Sequence, residues 1–467
     1  MRGLWKTEQV RAAENKLLAT TSEGALMRRA AFAVATTAVG MLKGRKRVVL
    51  LVGPGNNGGD ALFAGYYLRR RGITVTAVIV EPGRFHFGGL AAFVKAGGKI
   101  VDQVPEVDLA IDGIVGLQGR GPLRPHAAEI VAGLNAPVLS IDLPSGIDPD
   151  TGAIDGPAVR AATTVVLGCR KPVHGLADCG ELKFVDLGFN DVLPPPSLME
   201  LETLDVSLLW PVPGPDDDKY TQGVTGIAAG SATYPGAAVL STGAAVLATS
   251  GMVRYAGPAA DGVRARWPES ICTGAITDAG RVQAWVVGPG LGTGLGSESV
   301  LRFVLEAGVP VCGDADAITM LANNPDLWDA RDPETPVVLT PHAGEYARLM
   351  GEPVGADRVE AAHKAAQRFN AVVLLKGNST VVVAPDGGAL VHRASSSWPA
   401  TAGSGDVLSG IIGSLLAAGI YPLLAAAAAV HVHALAAELA ARGAPIPASA
   451  LMEAVPDAIR AVRAVTP

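Results

Sequence analysis

Two short stretches place acids beside glycines in the way that phosphoryl or hydroxyl chemistry requires. In Thr401-Ala-Gly-Ser-Gly-Asp406-Val-Leu-Ser-Gly, small residues precede Val407, Leu408, Ile411, Ile412, Leu415 and Leu416 at helical spacing, which puts the turn on a helix N-terminus. Backbone N–H groups left free there face an anion, and Gly403 and Gly405 let a ligand approach the main chain closely. Asp406 is then either a capping acid that complements the helix dipole or a general base beside a phosphoryl group. The second stretch, Val52-Gly-Pro-Gly-Asn-Asn-Gly-Gly-Asp60, follows an apolar run and precedes a helical pattern with Leu62, Phe63, Tyr66 and Tyr67 on one face. Gly53, Gly55 and Gly58 stand at the G-x-G-x-x-G spacing, but a lone glycine-rich turn between strand and helix is weak evidence for a dinucleotide loop. Asn56, Asn57 and Asp60 also supply donors and acceptors that a plain phosphate loop does not need.

Two more acids end apolar runs in the same half. Asp112 leads into the glycine-rich loop Gly116-Leu-Gln-Gly-Arg-Gly-Pro122, and Asp142 leads into Leu-Pro-Ser145-Gly-Ile-Asp148. Open α/β sheets bind ligands beyond the carboxyl ends of their strands, so these ends converge on one rim. Oxygen ligands from Asn57, Asp112 and Ser145 suit a hard cation rather than zinc. Asp142 is left as an acid/base candidate. Each acid taken alone fits an Asx turn or a loop acid equally well.

The elements that must position these groups are apolar runs alternating with helical patterns, the signature of parallel sheets covered by helices. Strands are predicted at 48–52, 74–80, 109–111, 138–141 and 164–167, then at 226–229, 284–287, 309–312, 337–339, 372–375 and 381–383. Between the two groups, Leu193-Pro-Pro-Pro-Ser197 and Trp210-Pro-Val-Pro-Gly-Pro-Asp-Asp-Asp-Lys219 stop both helix and strand. A domain junction is expected between about 194 and 218, giving domains 1–205 and 206–467. A chain of 467 residues exceeds what one core usually supports. No fixed-period repeat is visible, so the halves are two different α/β domains.

Composition narrows the classes of function. A formal charge of -6 without a basic block argues against a nucleic-acid role. Cys169, Cys179, Cys272 and Cys312 form no CxxC pair, which gives little support to zinc or disulfides and fits a reducing, cytoplasmic setting. The N-terminus lacks an apolar signal core, and Glu8 and Glu14 argue against a transit peptide. The most apolar region, 422–441, carries His431, His433 and Glu438 and reads as a core helix rather than a membrane span. Side chains two apart on a helix diverge, so His431 and His433 are not expected to share a metal.

Gly53-Pro-Gly-Asn-Asn-Gly-Gly-Asp60, the Asp112 loop and Asp142-Leu-Pro-Ser-Gly together resemble the NAD(P)H-hydrate epimerase domain over about residues 1–200. Such domains interconvert the R and S forms of hydrated nicotinamide cofactors. The resemblance implies that Asn56, Asn57, Gly58, Gly59 and Asp60, with Gly116, Leu117, Gln118, Gly119, Arg120, Gly121 and Pro122, hold the hydrate, with Asp142 against the damaged ring. It also implies that Asn57, Asp112 and Ser145 bind a potassium ion. One departure stands out: the family's loop reads Gly-Thr-Gly where this chain has Gly116-Leu-Gln-Gly119.

In the second half, Lys219, Gly230-Ser-Ala-Thr-Tyr-Pro-Gly-Ala-Ala238, Gly288-Pro-Gly-Leu-Gly292, Asp314-Ala-Asp316, Leu339-Thr-Pro-His-Ala-Gly-Glu345 and Leu375-Lys-Gly-Asn-Ser-Thr380 sit at predicted strand ends. In this order, with Ala-Gly-Ser-Gly-Asp406 last, they resemble the ADP/ATP-dependent NAD(P)H-hydrate dehydratase, a ribokinase-like domain, over about 215–465. Ala237, Gly290, Gly292, His342 and Asp406 are implied to contact the hydrate. Lys376, Gly377, Asn378, Ser379, Thr380 and Gly405 are implied to contact the nucleotide. From the residues alone, His342 fits a turn or core histidine as well.

The expected architecture is therefore an N-terminal Rossmann-like α-β-α sandwich followed by a ribokinase-like α/β domain. The implied partners are the hydrates NADHX and NADPHX and ADP or ATP with magnesium, with ADP favoured by resemblance to bacterial two-domain forms. No nucleic acid or membrane is expected, and a homo-oligomer is. Asp406 would accept the proton of the ring hydroxyl as it attacks the terminal phosphoryl group, and phosphate would then leave. The rival readings are a ribokinase-like vitamin-precursor kinase, whose phosphorylated product is stable, and a first half that only binds.

Overall fold

A computed structural model of the chain describes residues 1–249 and 251–466. It divides into two compact units, Gly3–Leu198 and the remainder of the chain. In the first unit, Arg-Val-Val-Leu-Leu-Val has no polar alternation because Arg47–Val52 is covered on both faces, and only Arg47 is exposed. The seven strands lie in the order Lys99–Ile100, Thr74–Ile79, Arg47–Val52, Leu109–Gly113, Val138–Ile141, Thr163–Leu167 and Glu181–Val185. Every neighbouring pair is parallel. Helices Ala25–Leu42 and Asn56–Arg70 close one face through Ala31, Val34, Leu62 and Leu68. Ala127, on Pro125–Ala132, packs with Val49, Leu51 and Ala110 on the other.

The order of strands reverses between Arg47–Val52 and Leu109–Gly113. The chain first winds outward through Thr74–Ile79 and then returns to the opposite side. At such a point the two following loops diverge and leave a crevice. Those loops are the glycine-rich turn at 53–55 and the segment 114–124.

The second unit has a parallel run of Val372–Leu375, Val337–Leu339, Val311–Gly313, Ala284–Val287, Val224–Ala228, Met252–Ala256 and Ile271–Thr273. Ser379–Val383 and Ala389–Arg393 continue it antiparallel. Helices Pro235–Ala248, Ser404–Ala417 and Pro422–Ala441 build its largest core, with Ile411, Ile412, Leu415 and Ala425 fully or nearly fully buried. The alanine-rich segment is thus one long helix with eleven buried residues, which is why it carries so few polar side chains.

Some of the strands missed in the sequence are short or end a sheet, whereas Met252–Ala256 and Ala389–Arg393 are neither. Glu181–Val185 is mostly exposed and mixes charged with apolar residues, as an edge strand does. The run expected at 309–312 begins only at Val311, because Pro310 has no N–H to give the ladder and instead its carbonyl accepts from Trp285.

Candidate active sites

A cavity of about 1160 Å³ opens at the strand crossover of the first unit. Asn57, buried in the first turn of Asn56–Arg70, donates through Nδ2 to the carbonyls of Val115 at 3.1 Å and Ile141 at 2.8 Å. Asp112, fully buried, accepts from the N–H of Ile114, from Ser140 Oγ, and from both the N–H and Oγ of Ser145, at 2.7–3.2 Å. The three residues expected to hold a cation are therefore brought together around Val115. Burial pushes the Asp112 carboxyl up, against the hydrogen bonds of Ser145, Ser140 and Ile114. No cationic side chain among the described residues pairs with it. A Cβ at Gly116 would come within 2.6 Å of Asn57 Oδ1, so this glycine leaves open the oxygen that a cation would take.

Asp142 occupies the left-handed region at φ 68°, a strained conformation for a non-glycine residue. Its Oδ1 accepts from the ammonium of Lys171 and from the Leu167 N–H, 3.1 Å away. Lys171 is 1% exposed and donates also to the Leu167 carbonyl. His174 locks the pair from behind: its Nδ1 accepts the Lys171 N–H, which leaves Nε2 to donate to the Asp142 carbonyl at 2.8 Å. Burial, then the Lys171 charge, lowers this imidazole to about 4, opposed by Asp142. Neither Lys171 nor His174 was singled out in the sequence. The signal was present, because Lys171-Pro-Val-His174 follows the end of Thr163–Leu167 just as the Asp112 and Asp142 loops follow theirs.

Asn56, Asn57 and Asp60 line this cavity with the whole loop from Gly116 to Pro122. Gly58 and Gly59 lie buried beneath it and do not line it. Arg120 is tied to Asp150 at 2.8 Å and to Asp148 at 3.4 Å, which braces the loop. Glu14, from the helix Thr7–Leu18, is a further acid on the wall. Burial raises its carboxyl, with Asp142 adding to the effect and Lys171 and Arg11 opposing it.

A second cavity, of about 600 Å³, lies in the other unit between Tyr234, Ala237, Gly290, Asp316, Gly403 and Asp406. Gly403 caps the helix Ser404–Ala417 at φ 86°, a conformation that favours glycine, and lines the cavity at the helix N-terminus. Asp406 sits in the first helical turn, yet none of the described residues hydrogen-bonds its carboxylate. Burial is the main force that raises this carboxyl to about 7; Asp314 and Asp316 add to it while Lys376 opposes it. A half-buried acid poised near neutrality is a base matched to its task.

Lys376 is held beside it by other acids. Its Nζ donates to Asp314 at 2.7 Å and lies 3.7 Å from Glu345. The second oxygen of Asp314 accepts from Ser409 Oγ at 2.7 Å, one helical turn beyond Asp406. Burial alone would raise Asp314, but Lys376 and the hydrogen bonds of Lys376, Ser409 and Thr340 hold it below its ordinary value. Asp314 and Glu345 in turn hold Lys376 above its own, against burial. Ala315, between the two acids, has φ 50° and ψ −111°. This turn leaves Asp316 on the cavity wall, accepting the Gly292 N–H at 2.8 Å.

The remaining expected residues fall on both sides of the wall. Ala237 and Gly290 line the cavity, whereas Gly292 reaches it only through Asp316. His342 caps the helix Ala343–Met350: its Nδ1 accepts from Gly344 and Glu345, while Glu345 accepts the His342 N–H. It does not line the cavity. Gly405 faces Lys376, since a Cβ there would lie 3.5 Å from Nζ. Gly377 and Asn378 are exposed, but Ser379 and Thr380 are buried in a strand, with Thr380 Oγ1 donating to Gly377. His433 reaches the Ser404 hydroxyl and carbonyl at 3.0 Å, whereas His431 faces Thr203 at 3.4 Å.

Comparison with known proteins fits both cavities. Residues 225–457 match the family described as NAD(P)H-hydrate dehydratase, and 23–173 match the YjeF-related protein N-terminus. Over 451 residues the chain is 54% identical to the bifunctional NAD(P)H-hydrate repair enzyme Nnr of Mycobacterium leprae, covering 94% of each chain. The chain belongs to the bifunctional NAD(P)H-hydrate repair enzymes. The member from Mycobacterium tuberculosis is 55% identical over 430 residues, 90% of each chain. An ADP/ATP-dependent NAD(P)H-hydrate dehydratase from Bacillus subtilis, crystallised with ATP and Mg2+, is 28% identical with a TM-score of 0.52. It covers 56% of this chain and 98% of its own. A ribokinase-like protein of Enterococcus faecalis at 23% identity and TM-score 0.53 shares the fold, covering 58% of this chain and 98% of its own.

Proposed function

We propose that residues 1–205 interconvert the R and S hydrates NADHX and NADPHX. Residues 206–467 then return the S hydrate to NADH or NADPH while ADP or ATP is converted to AMP or ADP and phosphate. The observation that carries the reading is Asp406: an acid held near neutrality over a cavity, in the first turn of a glycine-capped helix. As a carboxylate it takes the proton of the ring hydroxyl, whose oxygen attacks the terminal phosphoryl group of the nucleotide. The N-terminus of the helix at 403–405 and Lys376 would stabilise the charge on the transferring group. Phosphate is a better leaving group than hydroxide, and its departure, pushed by the ring nitrogen, restores the reduced nicotinamide.

The nucleotide enters with magnesium as part of the substrate. In the first unit Asn57, Asp112 and Ser145 would hold potassium. The fit rests on a buried carboxylate without a cationic partner among the described residues and on the oxygen kept open by Gly116. The bound ion would supply positive charge that lets Asp112 stay ionised. Asp142, gripped by Lys171, is the proton-transfer group toward the ring. The same reading makes the protein a cytoplasmic homo-oligomer that acts on small molecules. Its mass in solution by light scattering tests the assembly.

The central test incubates mixed R and S hydrates with ADP, with ATP or with neither. Complete consumption of both epimers only with a nucleotide, with phosphate and unphosphorylated NADH or NADPH as products, is expected. A stable phosphorylated product found by mass would instead identify a kinase.

A further inference from the structure

Inversion at a carbon that bears a hydroxyl involves two proton movements, and the epimerase reading has so far given only one group, Asp142. The hydroxyl must gain a proton to leave from one face. Water must lose one on arriving at the other. Asp60 has the placement of the second group. It sits on the second turn of Asn56–Arg70, is 6% exposed, and lines the same cavity as Asp142. Its Oδ1 is buried without a hydrogen-bond partner among the described residues, although such an atom deep in a fold ordinarily has one.

The two acids differ in their company. Asp142 is matched by Lys171. Asp60 has no cation bound to it among the described residues. Burial pushes its carboxyl well above the ordinary range, and Asp142 and Glu14 push it further. A buried carboxyl of this kind keeps its proton and can donate it. Charged or titratable groups elsewhere on the wall include Arg11 and Glu14 from the first helix, Arg28, Arg84, His86 beside Gly59, and Lys171.

We infer, resting on the epimerase reading, that Asp60 is a second catalytic residue: it expels the ring hydroxyl as water while Asp142 receives the proton of the water that replaces it. The Asp60 proton passes to the hydroxyl oxygen, the C–O bond breaks, and the lone pair of the ring nitrogen forms a C=N bond. Water then adds from the opposite face. Its oxygen forms the new C–O bond, the C=N pair returns to nitrogen, and its proton goes to the Asp142 carboxylate. One proton has moved from Asp60 to Asp142, and the reverse inversion moves it back, so no external reagent is needed.

The experiment follows the S hydrate of NADPH with the whole protein, without nucleotide, in water enriched in ¹⁸O, after subtraction of the uncatalysed reaction. One labelled oxygen per inversion is expected. In Asp60→Asn, with its melting transition checked against the unaltered protein, inversion and label uptake should fall together by about 100-fold or more. Inversion without label by the unaltered protein overturns the water route, a measurement that needs no variant. A folded Asp60→Asn that inverts at the original rate overturns the role of Asp60. No inversion by the unaltered protein overturns the epimerase reading and this inference with it.

Discussion

Each unit sets an acid beside a lysine, but the lysine is used in opposite ways. In the first, Lys171 grips Asp142 itself, and His174 fixes both from behind. In the second, Lys376 is bound to Asp314 and approached by Glu345, and the Asp406 carboxylate has no hydrogen-bond partner among the described residues. A lysine bound to the working acid fixes it in one place. A lysine bound to a neighbouring acid leaves the working group to the effects of burial, which raise it to about 7. The difference teaches that proximity of opposite charges alone does not decide what an acid does. The hydrogen-bond partners of the base do.

The sharpest way to break the comparison is Asp406→Asn. Dehydration should fall by about a thousand-fold or more, as expected when a general base and its charge are both removed, while epimerisation continues. Cofactor repair coupled to phosphate release at an undiminished rate would show that Asp406 is not the base. Next in size is Lys171→Met, which leaves Asp142 buried and unpaired. Breaking such a pair costs about 3–5 kcal/mol, so the melting transition of the first unit should drop markedly and epimerisation with it. Unchanged melting would show that the pair carries no such load.

A third test uses pH. Dehydration should rise about tenfold per pH unit below 7 and level off above it, because the carboxylate is the working form. The same upward shift acts on stability with the opposite sense. Between about 4 and 7 the folded chain keeps a proton that the unfolded chain has released, so this contribution is full at low pH and is lost as pH rises through 7. Asp406→Asn should therefore melt higher than the unaltered protein at pH 8 and lose that advantage near pH 4. The smallest effect is expected for Ser409→Ala, which removes one hydrogen bond to Asp314. A loss of about 1–3 kcal/mol in stability and a several-fold slower dehydration should follow, since Asp314 then holds Lys376 less firmly.

Much of this was legible from residue types because strand ends in parallel sheets carry the chemistry. Apolar runs such as Val-Val-Leu-Leu-Val gave their strands directly, and Asp112, Asp142 and Asp314 stand at the carboxyl ends of such runs, of which Asp142 lines a cavity. What stayed hidden depended on partners far along the chain. Nothing near Lys171 in sequence says that it meets Asp142, 29 positions away. Ser409 could be read as a helix residue but not as a donor to Asp314, 95 positions away. His342 illustrates the reverse: its local sequence, with Glu345 three positions on, also writes a capping box. Ser379 and Thr380 belonged to an expected binding loop, yet the strand begins two residues earlier than the apolar pattern suggested and takes them inside.

Ala315 is the smallest part of the dehydratase unit with the widest effect. Acids two apart on an extended strand would share one face and repel each other there. The strained turn at φ 50° separates them, so that Asp314 turns inward to Lys376 and Ser409 while Asp316 stays on the cavity wall. Three consecutive residues thereby divide negative charge into a buried anchor and an accessible acid. The unit can carry a dense cluster of carboxylates because the backbone sorts them into separate compartments before any ligand arrives.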